Sequence, residues 1–277
     1  MKIDAHQHFW HYNAFEYGWI TERMSSLRKD FLPEDLKALQ VPLGFDGSIA
    51  VQARQTLVET EWLLELSDLH RRILGVVGWV DLCSPQLPAE LGRLSRFPKL
   101  RGVRHILQDE PDEHYMLRPD FLRGIGELAQ LGMTYDILIY SRHLPTACEL
   151  VRRFPHQPFV LDHMAKPPIK RGTLEPWATD IKRLAAFPNV YCKLSGMVTE
   201  GDWECLRPED FRPYLDVVFE AFGPQRLMVG SDWPVCTLVA PYSRVISIVD
   251  DYIQYLPASQ REMILSENAR TFYGMEK

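Results

Sequence analysis

Two histidines separated by a single residue stand within the first ten residues of this 277-residue chain. His6 and His8 lie in the apolar run KIDAHQHF, which predicts a β-strand. Side chains two residues apart on a strand point to the same side, so we expect both imidazoles on one face. Because paired imidazoles can hold a metal ion, donate hydrogen bonds or carry protons, the first strand is a candidate catalytic surface.

Further polar residues stand near the ends of later apolar runs. His163 ends the run FVLDHMA, and Asp232 ends the run RLMVGSDW. Arg104 and His105 are adjacent in LRGVRHIL, and regular strand geometry sends only one of them inward. We expect Arg104 to point inward, and we keep His105 because strand ends often twist. The remaining candidates for substrate contacts are Arg54, Trp79, Asp81 and Lys193.

The elements that must position these residues follow a regular alternation of strand and helix patterns. Eight strands are predicted, in KIDAHQHF, GFDGSIAVQ, RILGVVGWVDL, LRGVRHIL, MTYDILIY, FVLDHMA, VYCKLSG and RLMVGSDW. Helical spacing occurs between them in ETEWLLELSDLH, RPDFLRGIGELAQLG and HLPTACELVRRF. A doubly wound sheet usually has a Gly-rich phosphate loop after its first strand, and this sequence has none there. We therefore predict the α/β class and a single (β/α)8 TIM-barrel domain over residues 1–277.

A barrel would bring these polar residues together. Its catalytic groups gather at the carboxyl ends of the strands, and strands 1 and 8 become neighbours only when the barrel closes. His6, His8 and Asp232 are thus expected to meet. Lys193, on strand 7, is either a substrate contact or a structural partner of Asp4, because an unpaired charge inside a barrel is costly.

Composition excludes several classes of protein. The net charge of −6 and the dispersed basic residues argue against a nucleic-acid partner. No apolar run reaches the length of a membrane span, and the N-terminus has no basic-then-apolar leader, so a cytoplasmic protein is expected. The five cysteines are odd in number and include no CxxC pair, which indicates reduced thiols. The oligomeric state stays open.

Six short motifs resemble those of the amidohydrolase superfamily, in its branch of lactone hydrolases. They are IDAHQHFW, LRGVRHIL, VLDHMAKP, CKLSG, VGSDWPV and ENARTFYG, and they extend from residue 2 to about residue 274. Within that branch the similarity is to sugar-lactone hydrolases of the L-fuconolactonase and L-rhamnonolactonase type and to 2-pyrone-4,6-dicarboxylate lactonase. The resemblance implies a barrel with one motif per strand.

Carried over to this sequence, the resemblance implies four catalytic residues and an optional metal. His6 and His8 match the strand-1 pair, His163 the strand-6 histidine and Asp232 the strand-8 aspartate. Metal-dependent members usually add a strand-5 histidine, whereas strand 5 here ends DILIYSRH, with no histidine before His143. His6, His8 and Asp232 remain a possible zinc set, and an enzyme without a required cofactor is the alternative.

We therefore expect a hydrolase that opens a small lactone, preferably a sugar (aldono) lactone of carbohydrate catabolism. Asp232 would activate water, His6, His8 and His163 would polarise the carbonyl directly or through a metal, and His163 or His105 would protonate the leaving oxygen. Three alternatives stay open: a 2-pyrone dicarboxylate lactonase, a metal-dependent decarboxylase of the same superfamily, and a noncatalytic small-molecule binder.

Overall fold

Eight parallel strands in sequence order form the centre of the molecule, which we describe from a computed structural model covering residues 1–275. Residues 276–277, the last two of the predicted domain, lie outside the described range. The strands are β1 (Ile3–Gln7), β2 (Gly47–Val51), β3 (Ile73–Gly78), β4 (Leu100–Ile106), β5 (Thr134–Leu138), β6 (Phe159–Leu161), β7 (Val190–Leu194) and β8 (Leu227–Val229). The predicted (β/α)8 barrel and all eight strands are confirmed.

Helices surround the sheet and connect successive strands. They are α1 (Pro33–Gln40), α2 (Leu57–Leu69), α3 (Leu87–Leu94), α4 (Pro119–Gln130), α5 (Leu144–Arg153), α6 (Trp177–Ala185), α7 (Met197–Glu200), α8 (Arg212–Phe222), α9 (Tyr242–Ile253), α10 (Ala258–Glu262) and α11 (Asn268–Phe272). Local signals explain where several begin and end. Thr56 caps α2 by accepting a hydrogen bond from the Glu59 amide, and α4 begins at Pro119.

The barrel closes between its first and last strands through backbone contacts just beyond β8. Gln7 pairs in parallel with Trp233, and the His8 amide donates to the Trp233 carbonyl at 2.7 Å. The Asp232 amide donates to the His6 carbonyl at 2.9 Å. These bonds hold the ends of β1 and β8 side by side, which the proximity of His6, His8 and Asp232 requires.

Two apolar regions hold this frame together. The larger one packs the helices against the outside of the sheet, with buried residues such as Leu63, Leu91 and Ile125. A smaller one joins Ile3, Val51 and Met228 to residues of α11 and to Tyr273, which follows it. Among the described residues, no helix has the length and apolar character needed to cross a membrane.

Candidate active site

A cavity of about 360 Å³ opens at the carboxyl ends of the strands. Its walls come from the segments that follow β1, β2, β4, β5, β6, β7 and β8. The lining residues used below are His8, Trp19, Arg104, Gln108, Asp109, Tyr140, His163, Lys166, Thr199, Glu200, Trp203 and Asp232. This is the end of a (β/α)8 barrel at which catalytic groups are found.

Asp232 stands among three imidazoles. Its Oδ1 atom lies 3.4 Å from His8 Nε2 and 3.9 Å from both His6 Nε2 and His163 Nε2. All four side chains are buried or nearly so. The structure therefore brings together the four residues that the sequence nominates for catalysis.

The His8 ring is oriented by the backbone. Its Nδ1 atom lies 2.8 Å from the Val51 carbonyl oxygen, which can only accept, so Nδ1 carries a proton and Nε2 is the ring nitrogen on the side of Asp232. His8 Nε2 lies 3.4 Å from Asp232 Oδ1. Two electron-rich atoms this close repel each other unless a proton or a cation lies between them.

This donor set has the chemistry of a metal site. The ligand atoms of His6, His8 and Asp232 lie within 4.8 Å of one another, and a second group of the same kind comprises His6, Asp162 and His163. Two imidazoles and a carboxylate are ligands that zinc accepts at catalytic centres. The carbonyl on His8 Nδ1 supplies the outer contact that orients such a ligand. No histidine from β5 joins the set, and His143 does not line the cavity.

Four buried charges lie beneath His6. Lys193 Nζ contacts Asp136 and lies 3.0 Å from Asp162 Oδ1, and Arg104 Nη1 donates to Asp162 Oδ2 at 2.9 Å. Lys193 Nζ also lies 3.1 Å from His6 Nδ1. Two acids and two bases balance in a region that is almost closed to water, which is the condition for keeping charges buried.

The expected pairing of Lys193 with Asp4 is wrong. Asp4 accepts hydrogen bonds from Ser231 and from Tyr242 of α9 instead. The register of β1 shifts between Asp4 and Gln7, so Asp4 and His6 do not share surroundings although they are two residues apart. A bulge of this kind breaks the alternation on which the prediction depended.

Burial and neighbouring charges set the protonation states of the site. Burial lowers the pKa of His163 to about 4 and holds the pKa of His6 well below its usual value. Burial alone would raise the pKa of Asp232, but the imidazoles of His163, His8 and His6 outweigh it and lower that pKa. At neutral pH the site therefore holds an ionised carboxylate beside the neutral rings of His6 and His163.

A left-handed turn carries His163 into the cavity. Four successive residues after β6, from His163 to Lys166, have φ between 51° and 57°, and Asp232 has φ 59°. Side chains rarely adopt this conformation, and such strain concentrates at functional sites. Gly196 makes room for the turn, because a Cβ atom there would lie 2.5 Å from His163 Nδ1. His163 Nδ1 is held at 2.9 Å from Ser195 Oγ.

Five residues predicted as substrate contacts do not line the cavity. Lys193 is fully buried in the charge cluster, and Arg54 pairs with Glu16 and Glu59. Trp79 donates to His105, which bonds Glu110 and stacks on Tyr115. Asp81 accepts from the Cys83 amide. Arg104 lines the cavity as expected, because it and Ile106 point to the side of β4 opposite His105.

Sequence reasoning missed most of the cavity wall. Trp19, Gln108, Tyr140, Lys166, Glu200 and Trp203 lie in segments beyond the strand ends, where no periodicity marks them. The buried acids Asp136 and Asp162 had a visible signal, because each interrupts an otherwise apolar strand run. A charge in such a run indicates a partner inside the barrel.

Comparison with known proteins gives close and extensive matches. The family profile described as Amidohydrolase matches residues 3–275. The L-fucono-1,5-lactonase of Burkholderia multivorans is 43% identical, with 99% of this chain and 96% of that protein covered. The L-fucono-1,5-lactonase of Burkholderia ambifaria is 36% identical, with 100% and 96% covered.

A solved structure of a similar protein contains a metal. The crystal structure of an amidohydrolase from Burkholderia multivorans with bound Zn has a TM-score of 0.96 at 44% identity, and both chains are covered over 100% of their length. A dihydroxybenzoic acid decarboxylase from Polaromonas with bound manganese has a TM-score of 0.71 at 13% identity, with 100% of this chain and 97% of that chain covered. The second likeness shows the fold alone.

Proposed function

This chain belongs to the amidohydrolase family, and from that premise we propose that it is a lactonase that opens L-fucono-1,5-lactone or a closely similar sugar lactone. Two relatives that carry the name L-fucono-1,5-lactonase match nearly its whole length. The observation that carries the proposal is the position of Asp232, in the cavity wall and within 4 Å of three imidazoles.

The charges of the cavity favour a neutral substrate. Its cationic side chains are Arg104 and Lys166, and Arg104 is already bound to Asp162. Its acidic side chains are Asp109, Glu200 and Asp232. A pyrone dicarboxylate would bring two further negative charges toward three carboxylates, whereas a sugar lactone brings only hydroxyl groups. The cavity volume of about 360 Å³ lies in the range of small-molecule sites.

In the reaction we propose, Asp232 is the general base. A water molecule attacks the lactone carbonyl carbon and transfers a proton to the carboxylate, and a tetrahedral oxyanion forms. Collapse of that intermediate breaks the bond between the carbonyl carbon and the ring oxygen. His163, which lies 3.9 Å from Asp232 and is neutral at pH 7, relays the proton from Asp232 to the departing alkoxide.

His6 and Arg104 support the developing charge. Arg104 Nη1 lies 3.3 Å from His6 Nε2, and Lys193 lies on the other nitrogen of the same ring. The Arg104 guanidinium also lines the cavity, and a fixed positive group there stabilises negative charge that develops on the lactone carbonyl oxygen. His105, the other sequence candidate for proton donation, does not line the cavity, so we assign that role to His163.

If the protein binds a metal, His6, His8 and Asp232 are the residues that would hold it. A zinc ion there would polarise the carbonyl and lower the pKa of a bound water. His8 Nε2 and Asp232 Oδ1, 3.4 Å apart, are both ligand atoms that such a cation would bind.

The test is proton release from a panel of lactones, followed with a pH indicator, with and without a strong chelator. We expect turnover of L-fucono-1,5-lactone and little turnover of pyrone dicarboxylates. Loss of turnover with chelator and recovery with zinc would assign the metal role, and turnover that survives chelation would assign direct catalysis. Silence across the panel, together with CO₂ release from a hydroxybenzoate, would replace the proposal by the decarboxylase alternative.

A further inference from the structure

Lys166 is a charged residue of the cavity wall that has no part in the mechanism above. It is the last residue of the left-handed turn after β6, and its amide donates to the His163 carbonyl at 2.8 Å. Its Nζ atom lies 5.1 Å from the centroid of the Tyr140 ring, which also lines the cavity. The turn that carries His163 thus also fixes the backbone of Lys166, and the ammonium lies over another residue of the wall.

The Lys166 ammonium has no counter-ion in contact. Within residues 1–275, no carboxylate oxygen lies within 4 Å of Nζ, and no protein acceptor takes a hydrogen bond from it. The side chain is partly exposed, and Nζ is reached by solvent. An ammonium carries three donors. All three are therefore available to a ligand that enters the cavity.

Glu200 supplies a complementary acceptor in the same wall. It ends α7, and the Thr199 hydroxyl fixes that short helix by donating to the Gly196 carbonyl at 2.9 Å. In the described part of the chain the Glu200 carboxyl group accepts no hydrogen bond, and it too is reached by solvent. Burial raises the pKa of Glu200, the charge of Lys166 opposes that rise, and the charge of Asp232 adds to it. The carboxyl group is therefore within electrostatic reach of both charges.

A cation and a carboxyl group that share a cavity without touching can bind one hydroxyl group between them. A hydroxyl oxygen can accept from Lys166 while its proton is donated to Glu200. The ester group of a lactone has acceptors alone, and it would leave Glu200 without a partner. The two side chains together therefore indicate a ligand with hydroxyl groups.

We propose that Lys166 and Glu200 bind a hydroxyl group of the substrate and so select polyhydroxylated lactones: the Lys166 ammonium donates to the hydroxyl oxygen, and the Glu200 carboxyl group accepts the hydroxyl proton. This inference rests on the proposed lactonase function and deepens it. A site built to hydrogen-bond a hydroxyl discriminates against an analogue that lacks it, because the protein groups are then left unpaired. The chain would thus prefer sugar lactones over bare lactones of the same ring size.

The experiment compares kcat/KM for L-fucono-1,5-lactone with kcat/KM for δ-valerolactone, a six-membered lactone without hydroxyl groups. Lys166→Met keeps an extended side chain and removes the charge and the donors, and Glu200→Met removes the acceptors. We expect each variant to lower the ratio of the two values, sugar lactone over bare lactone, by about 10- to 100-fold, the range of a hydrogen bond to a charged group. Because the two variants lie in different segments, either one tests the proposal if the other fails to fold.

Two nearby residues that do not line the cavity provide matched controls. Lys170 lies 3.4 Å from Asp202 in a surface ion pair, and Glu204 is exposed. Lys170→Met and Glu204→Met should leave the ratio within about twofold of wild type. Equal losses for both lactones in Lys166→Met would place Lys166 on the ester group common to them and would overturn the proposal, as would an unchanged ratio.

A second measurement separates this inference from the proposed function. Calorimetric binding of L-fucose, a pyranose with similar hydroxyl groups, does not depend on turnover. Weaker binding to Lys166→Met and Glu200→Met than to wild type and Lys170→Met would support hydroxyl recognition even if no lactone is hydrolysed. Equal affinity in all four proteins, or no binding to wild type, would contradict it.

Discussion

Among residues 1–275, Asp232 is the carboxylate near which the imidazoles of His6, His8 and His163 converge. Replacing it by Asn keeps the size and removes the base. We expect Asp232→Asn to lower kcat by about 10²- to 10⁴-fold, the usual contribution of a general base. The measurement is steady-state lactone hydrolysis, with circular dichroism to check the fold.

Asp81→Asn is the matched control, because Asp81 only accepts a hydrogen bond from the Cys83 amide outside the cavity. Its kcat should stay within about twofold of wild type, as for most surface substitutions. If the two substitutions reduced kcat equally, the role of Asp232 as base would be wrong.

His163 makes stability depend on pH through its lowered pKa. Its unfolded value is near 6.5 and its folded value about 4, so the unfolded chain binds the proton first as pH falls. The neutral ring makes its full contribution to the free energy of unfolding above pH 6.5. That contribution declines as the pH falls toward 4, and at pH 5 it is smaller by about 2 kcal/mol. Denaturant unfolding of wild type and His163→Asn in chelator should show this difference; asparagine tolerates the positive φ.

Because Glu59 also titrates, the effect of His163 must be measured as the difference in unfolding free energy between wild type and His163→Asn. Burial raises the pKa of Glu59 to about 7, so its contribution has the opposite sign and declines as pH rises from about 4.5 to 7. Wild-type stability alone mixes the two effects. A free-energy difference between wild type and His163→Asn that stayed constant from pH 7 to pH 5 would contradict the buried neutral ring.

At the scale of elements, the left-handed turn after β6 depends on the absence of a side chain at Gly196. Gly196 and Gly172 have nearly equal φ, 63° and 65°, but only Gly196 lies against His163. Gly196→Ala should cost about 1–3 kcal/mol and lower kcat at least tenfold, because the ring of His163 must move. Gly172→Ala should cost about 1 kcal/mol and leave kcat unchanged.

The prediction is checked by measuring the free energy of unfolding and kcat of Gly196→Ala and Gly172→Ala. Equal kcat values would mean that turnover does not depend on the exact position of the His163 ring. The comparison also separates backbone strain, which both variants share, from steric contact with the ring of His163, which only Gly196→Ala has.

Strands were predictable from sequence because apolar runs and turn residues mark them. Their ends were not: FVLDHMA reads as one run, yet β6 stops at Leu161 and the left-handed turn begins at His163. His6 and Arg104 were found because strand geometry fixes where they go, whereas His163 and Asp232 lie beyond the ends of β6 and β8 and were matched through the family motifs. Trp79 and Arg54 were misjudged as cavity contacts, because a loop's course depends on packing that no local pattern records.

For the whole molecule, the residue after α11 reaches the charge cluster beneath the active site. The Tyr273 hydroxyl donates to Asp136 Oδ2 at 2.8 Å, and Asp136 also holds Lys193. Tyr273→Phe leaves a buried acceptor short of one donor and should lower the free energy of unfolding by about 1–3 kcal/mol. Tyr255, which is 85% exposed, provides the control. Tyr255→Phe should change the free energy of unfolding by less than about 0.5 kcal/mol.

Denaturant titration of both tyrosine variants measures the effect. Identical stabilities would mean that the C-terminal segment only covers the barrel and does not support its charges. From sequence, ENARTFYG marked the end of the family resemblance, but nothing in it indicated a hydrogen bond to strand 5.

The backbone bonds between residues 6–8 and 232–233 have a consequence for how this enzyme acquires activity. The proposed base, Asp232, and two of the imidazoles beside it, His6 and His8, come from opposite ends of the barrel's strand order, so they meet only after the eighth strand is in place. A chain still emerging from the ribosome, or a fragment that ends before residue 232, would be catalytically silent however well its early units had folded. The rate at which turnover returns during refolding would therefore report the rate of the last step, in which β8 joins the barrel.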